Sequence, residues 1–245
     1  MINLVNTAEK FLKRKIKLDI SISTKKNINT VKVLPYLRGL FGRYFSKFGK
    51  NNKWIFDIRN NESTVELFQK NNLSELVKLG VATPDHVIRT KARPLLLDHF
   101  SEKDDIDAWL KNSESKIIKY IKDYEEYFIR NSRLSNDTKT QLDPLPRLVL
   151  IPEIGLIGLG DDKKSSKIAA DIGQAWIETL LSACSIGKFS PVGEKDTFDL
   201  EYWSLEQAKL GQKKEPLLKG NIVAITGAGG VIGSQIAKEF KLAGA

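Results

Sequence analysis

Apolar residues fall at helical spacing from the first residues onward, at Ile2, Val5, Ala8, Leu12 and Ile16, which predicts a helix over 2–17. Polar residues fill 21–29, the best linker in the chain. Helical spacing returns with Val33, Leu34, Leu37, Leu40, Phe41, Tyr44 and Phe45, and 53–58 then reads as a strand. Short helices are expected over 63–70 and 73–79, ending at Gly80. Thr83-Pro84-Asp85 is a helix start, since threonine can cap exposed amides, proline tolerates the first turn and aspartate suits the positive end of the dipole. Residues 103–131 carry the stripe Ile106, Trp109, Leu110, Ile117, Ile118, Ile121, Tyr124 and Phe128, expected as one long charged helix or a helix pair. Asp143-Pro144-Leu145-Pro146 interrupts it. Residues 147–151 and the glycine-bounded 155–160 read as strands, and 164–186 as an amphipathic helix. Helices so amphipathic are stable mainly through packing, so 30–190 is expected to be one α/β domain whose sheet includes 53–58, 147–151 and 156–159.

Pro191, Gly193, Gly211 and Pro216 mark a second boundary over 188–219, around a helical-looking piece at 204–210. Beyond it, 221–225 is expected to be a short buried strand, followed at once by Thr226-Gly227-Ala228-Gly229-Gly230-Val231-Ile232-Gly233 and a helix from about 232 to 242. Strand, glycine turn and helix in that order are what a dinucleotide site requires. Gly227 allows the sharp turn, Gly230 the approach of main chain to a pyrophosphate, and Gly233 the close packing of helix on strand. The phosphates would meet the unpaired amides at the helix start. The cofactor-binding positions so expected are Thr226, Gly227, Gly230, Ile232 and Gly233.

The Thr-Gly opening resembles the short-chain dehydrogenase/reductase superfamily, in its TGxxGxxG variant; the commoner form would want glycine where Val231 stands. Three further segments narrow the resemblance. Phe198-Asp199-Leu200-Glu201-Tyr202-Trp203 through Leu210 resembles the junction of bifunctional aldolase/short-chain dehydrogenases. Ala82 through Lys91, and Arg147 through Gly160, are similar to that family's central region. The family resembles rhamnulose-phosphate aldolases fused to a lactaldehyde-type dehydrogenase, which implies sugar catabolism and a small sugar-derived substrate.

The resemblance implies an internal fragment. Its segments would be the last helix of an aldolase domain at 1–20, a central α/β, degenerate aldolase-like domain at 30–190, a connector at 191–218, and the first β-α unit of a Rossmann-type domain at 219–245. Zinc would belong to aldolase segments outside this chain, and NAD or NADP to the whole enzyme. In the central region Glu153-Ile154-Gly155 stands where an aldolase copy would carry an Asn-His-Gly ligand loop, and Ile154 cannot bind zinc. The dehydrogenase's Tyr-x-x-x-Lys pair does not occur at Tyr120, Tyr124 or Tyr127. No residue of this chain is therefore assigned as catalytic or as a metal ligand, and the chain alone is expected to be inactive. The alternative is a noncatalytic anion-binding or scaffold module with a vestigial dinucleotide motif.

Composition adds limits. The 245 residues, 41% hydrophobic and 28% charged, suit a soluble globular protein with a sizeable core. No apolar run approaches the roughly 20 residues of a membrane span. One cysteine and two histidines exclude an internal disulfide and a structural zinc site, and a cytoplasmic location is the default. The net charge of +9 concentrates in 1–60, where fourteen Lys and Arg face three acids, without the spacing of a nucleic-acid binder. No nucleic-acid or membrane partner is expected, and a homo-oligomer stays open.

Single residues carry smaller expectations. His86, Arg89, Lys91 and Arg93 read either as an anion or sugar-phosphate site at a helix start or as a capped surface helix. His99 beside Asp98 is expected to make a surface contact, Cys184 to pack in the core, and Tyr202 and Trp203 to anchor one domain to the next.

Overall fold

The computed structural model describes residues 2–15, 30–50, 53–101, 103–135, 137–205 and 216–245. Helix α1 (Ile2–Lys15) is followed by α2 (Thr30–Lys47), β1 (Ile55–Arg59), α3 (Glu62–Phe68), α4 (Leu73–Leu76), α5 (Val87–Thr90) and β2 (Leu95–Leu96). Then come α6 (Ile106–Ser132), β3 (Leu148–Ile151), β4 (Gly155–Gly160), α7 (Lys163–Ile186) and α8 (Glu194–Glu201). The last element, here α9, spans Val231–Leu242. The expected linker at 21–29 lies outside the described residues, as does most of the helical piece at 204–210.

The three strand segments read from the sequence join one mixed sheet of order β1-β4-β3-β2. β4 pairs antiparallel with both β1 and β3, and the two-residue β2 runs parallel to β3. Successive side chains of a strand point to opposite faces, and here each face has its own core. Val149, Ile151, Ile157 and Leu159 pack with Leu37, Leu40 and Phe41 of α2 and with Ile117 of α6. Leu148, Leu150 and Leu156 pack with Trp176, Ile177 and Leu180 of α7. The central strands are apolar on both sides because helices cover both.

Helix α7 lies flush on β4. A methyl group at Gly158 would stand 2.4 Å from the Ser166 carbonyl oxygen and 2.5 Å from the Ala170 nitrogen, and one at Gly160 would stand 2.1 Å from the Ser166 nitrogen. The helix answers with small residues, Ser166, Ala169, Ala170 and Gly173, on its buried face. Its start is fixed by Asp162, whose carboxylate accepts from the Ser165 amide at 2.6 Å, while the Asp162 amide donates to the Ser165 hydroxyl oxygen at 3.2 Å.

Three expectations are corrected. Cys184 is exposed, not core, because the last turns of α7 run past the part of the helix that the sheet covers. The segment 191–205 is more than a connector: α8 packs on α6 through Phe198 and Tyr202, which join Tyr124 and Tyr127 in a third cluster. Tyr202 is thus an anchor within the domain, while Trp203 is 46% exposed. Finally, 221–225 forms no strand; Ile222 and Val223 are exposed, since no described strand offers them a ladder.

Gly158→Ala and Gly160→Ala test the flush packing. Each is expected to cost about 2–3 kcal/mol, the upper part of the overpacking range, because backbone rather than a side-chain tip opposes the new methyl. Urea unfolding followed by far-UV circular dichroism reads this, with exposed Gly187→Ala, which meets nothing within 4 Å, as the neutral reference.

Candidate functional site

The Thr83-Pro84-Asp85 segment does start a helix, but Thr83 caps nothing. Thr83 is extended and precedes a 3-10 turn, Pro84–His86, that runs on into α5. Its hydroxyl lies against the His86 ring, 2.8 Å from Nδ1, so it orients an imidazole instead of holding an amide. Thr90 closes the short helix from within, donating its hydroxyl to the His86 carbonyl at 3.0 Å.

Lys91 then adopts φ 65° and ψ 169°, a backbone region that side-chain-bearing residues avoid at a cost of about 1–3 kcal/mol. The compensation is what its side chain reaches. Lys91 Nζ donates to Glu201 Oε1 at 3.1 Å and to the Tyr124 hydroxyl at 2.9 Å, and it lies 4.2 Å from the Tyr124 ring centroid. Glu201 is entirely buried. Its Oε1 also accepts from Tyr124 at 2.7 Å and its Oε2 from Tyr127 at 3.1 Å. Tyr202 completes the group, with its hydroxyl 2.8 Å from that of Tyr124 and accepting from the Leu142 amide. Burial drives the Lys91 pKa down against the pull of Glu201, and burial beside that carboxylate drives the Tyr124 and Tyr127 phenols upward. The tyrosines thus stay protonated and act as donors to Glu201, which suits support and not proton transfer.

Beside α5 lies a small cleft with room for about one water. His86, Thr90, Lys91 and Arg93 line it, with Leu148, Ile172 and Trp176 as apolar wall. Of the four residues expected together, His86, Lys91 and Arg93 meet here and Arg89 does not line the cleft. Lys91 is not available to an anion, because Glu201 holds it. His99 is exposed, 3.6 Å from Glu153, in keeping with a surface contact. Sequence reading missed Glu201, Tyr124 and Tyr127 as the partners of Lys91. Their signal was a glutamate between buried aromatics, and two tyrosines three apart on an apolar stripe.

A second built feature is the glycine turn. Gly227 has φ 68°, and its carbonyl accepts from the Gly230 amide at 3.0 Å. A methyl group at Gly233 would stand 2.2 Å from that same carbonyl oxygen, so the third glycine permits the close approach of helix to turn. Gly230 caps α9 without a side-chain bond. Thr226 and Ile232 are exposed beside it. The backbone of Gly220, just upstream, is tied to the domain by Arg38, which donates to the Gly220 carbonyl at 3.0 Å and to the Trp54 carbonyl at 2.6 Å. Lys53 holds Asn221 at 2.8 Å, and Lys219 pairs with Asp161.

The mixed α/β fold agrees with what sequence comparison finds. The model of the aldolase class II second domain matches residues 28–210, well over half of the chain, and the chain belongs to that family. It is also 27% identical over 213 residues to a Bacillus subtilis (strain 168) protein named Uncharacterized oxidoreductase YuxG. That alignment takes in 86% of this chain and 30% of the relative, so the chain spans less than a third of the relative's length. No solved structure matches. No described helix is long and apolar enough to cross a membrane, and among the described residues no three His, Cys, Asp or Glu gather where a metal ion could sit.

Two predictions follow the buried charges. Lys91→Met leaves Glu201 uncompensated and is expected to cost about 3–5 kcal/mol. Combining it with Glu201→Gln should cost clearly less than the two single changes added, a coupling that chemical denaturation of the four proteins measures. Asp143 supplies the pH dependence. Burial pushes its carboxyl up, but Arg147 at 2.8 Å, with Lys91 and Lys50, outweighs this and holds the value at about 2. A depressed value means stability that is present above roughly pH 4 and lost as pH falls toward about 2. Asp143→Asn should remove about 2 kcal/mol of the acid-dependent loss, read from urea midpoints at about pH 5 and about pH 2.

Proposed function

We propose that this chain is the middle part of a bifunctional sugar-catabolic enzyme in which a zinc-dependent, rhamnulose-phosphate-type aldolase is joined to an NAD(P)-dependent short-chain oxidoreductase. The observation that carries the reading is the order of parts: a class II aldolase second domain through residue 210 and, beginning at Gly227, a strand-less but fully formed Gly227/Gly230/Gly233 turn opening a helix. The relative named as an oxidoreductase, more than three times the aligned length, supports it.

The turn fits the phosphate part of a dinucleotide. Gly227 and Gly233 bring the helix start against the turn, and the first amides of α9, at Val231, Ile232 and Gly233, precede any helical acceptor. Bound there, the nicotinamide coenzyme would supply hydride transfer in the whole enzyme. Residues of this chain would hold and neutralise its pyrophosphate, while the tyrosine and lysine for proton exchange with the substrate would come from outside it. The zinc of the aldolase reaction would likewise be held elsewhere; the described residues of this chain offer no ligand set for it.

By itself the chain is expected to show neither activity and no appreciable dinucleotide binding. A pyrophosphate held by one turn recovers only part of the energy that the adenosine and nicotinamide pockets provide, and Ile222, Val231 and Ile232 stand exposed where such a domain would pack. Titration of the purified chain with NADH and NADPH by calorimetry should show no saturation tighter than about 100 μM. The fusion itself is tested by reading the DNA downstream of the Ala245 codon. A downstream Tyr-x-x-x-Lys is expected, and its absence would overturn the oxidoreductase reading.

A further inference from the structure

The stretch that carries the glycine turn and α9 has almost no core of its own. Of residues 216–245 only Gly220 is buried, and no residue of α9 is. Apolar packing therefore does little to hold it to the α/β domain. What holds it is a set of polar ties at Lys219, Gly220 and Asn221.

The Gly220 carbonyl accepts from Arg38 Nη2 at 3.0 Å, while Arg38 Nε donates to the Trp54 carbonyl at 2.6 Å, so one half-buried guanidinium spans both. A hydrogen bond from a charged donor is worth more than one from a neutral donor. Gly220 has φ 73°, a conformation that glycine adopts freely, and a methyl group on it would run into the Lys53 carbonyl oxygen. On either side, Lys53 Nζ donates to Asn221 Oδ1 at 2.8 Å and Lys219 pairs with Asp161. The anchors on the domain thus lie on α2, just before β1 and just after β4, and Ile55 of β1 is the register partner of Gly160 of β4. They surround one corner of the sheet. A single tie would leave a swivel, whereas three ties from different elements fix an orientation.

The far end of α9 returns to the same corner. The Leu218 amide donates to the Ala243 carbonyl at 2.8 Å, and Gly244, at φ 97°, lies so close to Pro216 that a methyl group would stand 2.5 Å from the proline Cβ. Gly220 and Gly244 lie outside the Thr226–Gly233 motif, and a phosphate-binding turn requires neither of them. Their use is at the joint.

We propose that this corner is a seat that fixes the orientation of the domain opening at Asn221. The aldolase-like domain then serves as a rigid platform for its neighbour, where relative motion of adjoining domains is the ordinary expectation. Arg38 is the clasp, and Gly220 is the residue that lets the chain approach. What is seated rests on the reading of 219–245 as the start of a dinucleotide-binding domain; the seat itself involves no nucleotide.

The test uses the chain itself, by 15N relaxation of the backbone amides of α9 and α7. The expected result is one overall tumbling, with order parameters near about 0.85 in both helices. Arg38→Gln, which withdraws the charge from both carbonyls, should lower those of α9 below about 0.6 and leave those of α7 unchanged. Gly220→Ala should do the same from the other side of the joint, and Arg43→Gln, at an exposed position of α2, should change neither helix. If far-UV circular dichroism shows Arg38→Gln to be poorly folded, Gly220→Ala decides. Independent motion of α9 in the unaltered protein would overturn the proposal, as would order parameters of α9 that stay high in both variants. The readout contains no nucleotide and no activity, so loss of the seat and loss of the oxidoreductase reading are told apart.

Discussion

A carboxylate sealed from water is the fact to which much of this domain must conform. Glu201 lies on the last turn of a short helix and meets no solvent, so its two oxygens need donors from other parts of the chain. They come from Lys91 at the end of α5 and from Tyr124 and Tyr127 on α6. Three elements far apart in sequence are thereby held to one another by directional bonds, and α8 is held on α6 by ring contacts as well, Phe198 against Tyr127 with centroids 5.5 Å apart and Tyr202 against Phe128 at 5.2 Å. The lysine reaches its place only through a backbone conformation that glycine would adopt more easily. The strain at Lys91 and the burial of Glu201 are two sides of one arrangement, because either would be unfavourable alone.

The other organising constraint is steric. On one face the sheet meets large side chains from α2 and α6, and on the other it meets a helix that nearly touches its backbone at Gly158 and Gly160. This asymmetry leaves the rim of the sheet, at β2 and the turn after α5, as the place where a cleft can open between the two layers. It is there that His86 and Arg93 come together.

Much of this was legible in the sequence because it depends on local pattern. The long helices α6 and α7 were marked by apolar stripes, the strands β3 and β4 by their glycines and Asp143-Pro144, and the turn at Gly227 by its spacing. What the sequence hid was tertiary. Nothing near Cys184 told that α7 outruns its sheet, and nothing local told that Lys91 would be spent on a glutamate 110 residues away. The strand expected at 221–225 had the right residues, but a strand exists only through its neighbours. Thr83 had the right residue for a cap, and the competing histidine three positions on took its hydroxyl.

The unit that carries the glycine turn is closed at its own base. The Leu218 amide donates to the Ala243 carbonyl at 2.8 Å, and Arg38, Lys53 and Lys219 fasten the strand of chain at that base to the α/β domain. Because these ties hold only the base of the unit, the glycine turn and α9 can take up new neighbours without asking the sheet, the flush helix or the buried glutamate to rearrange.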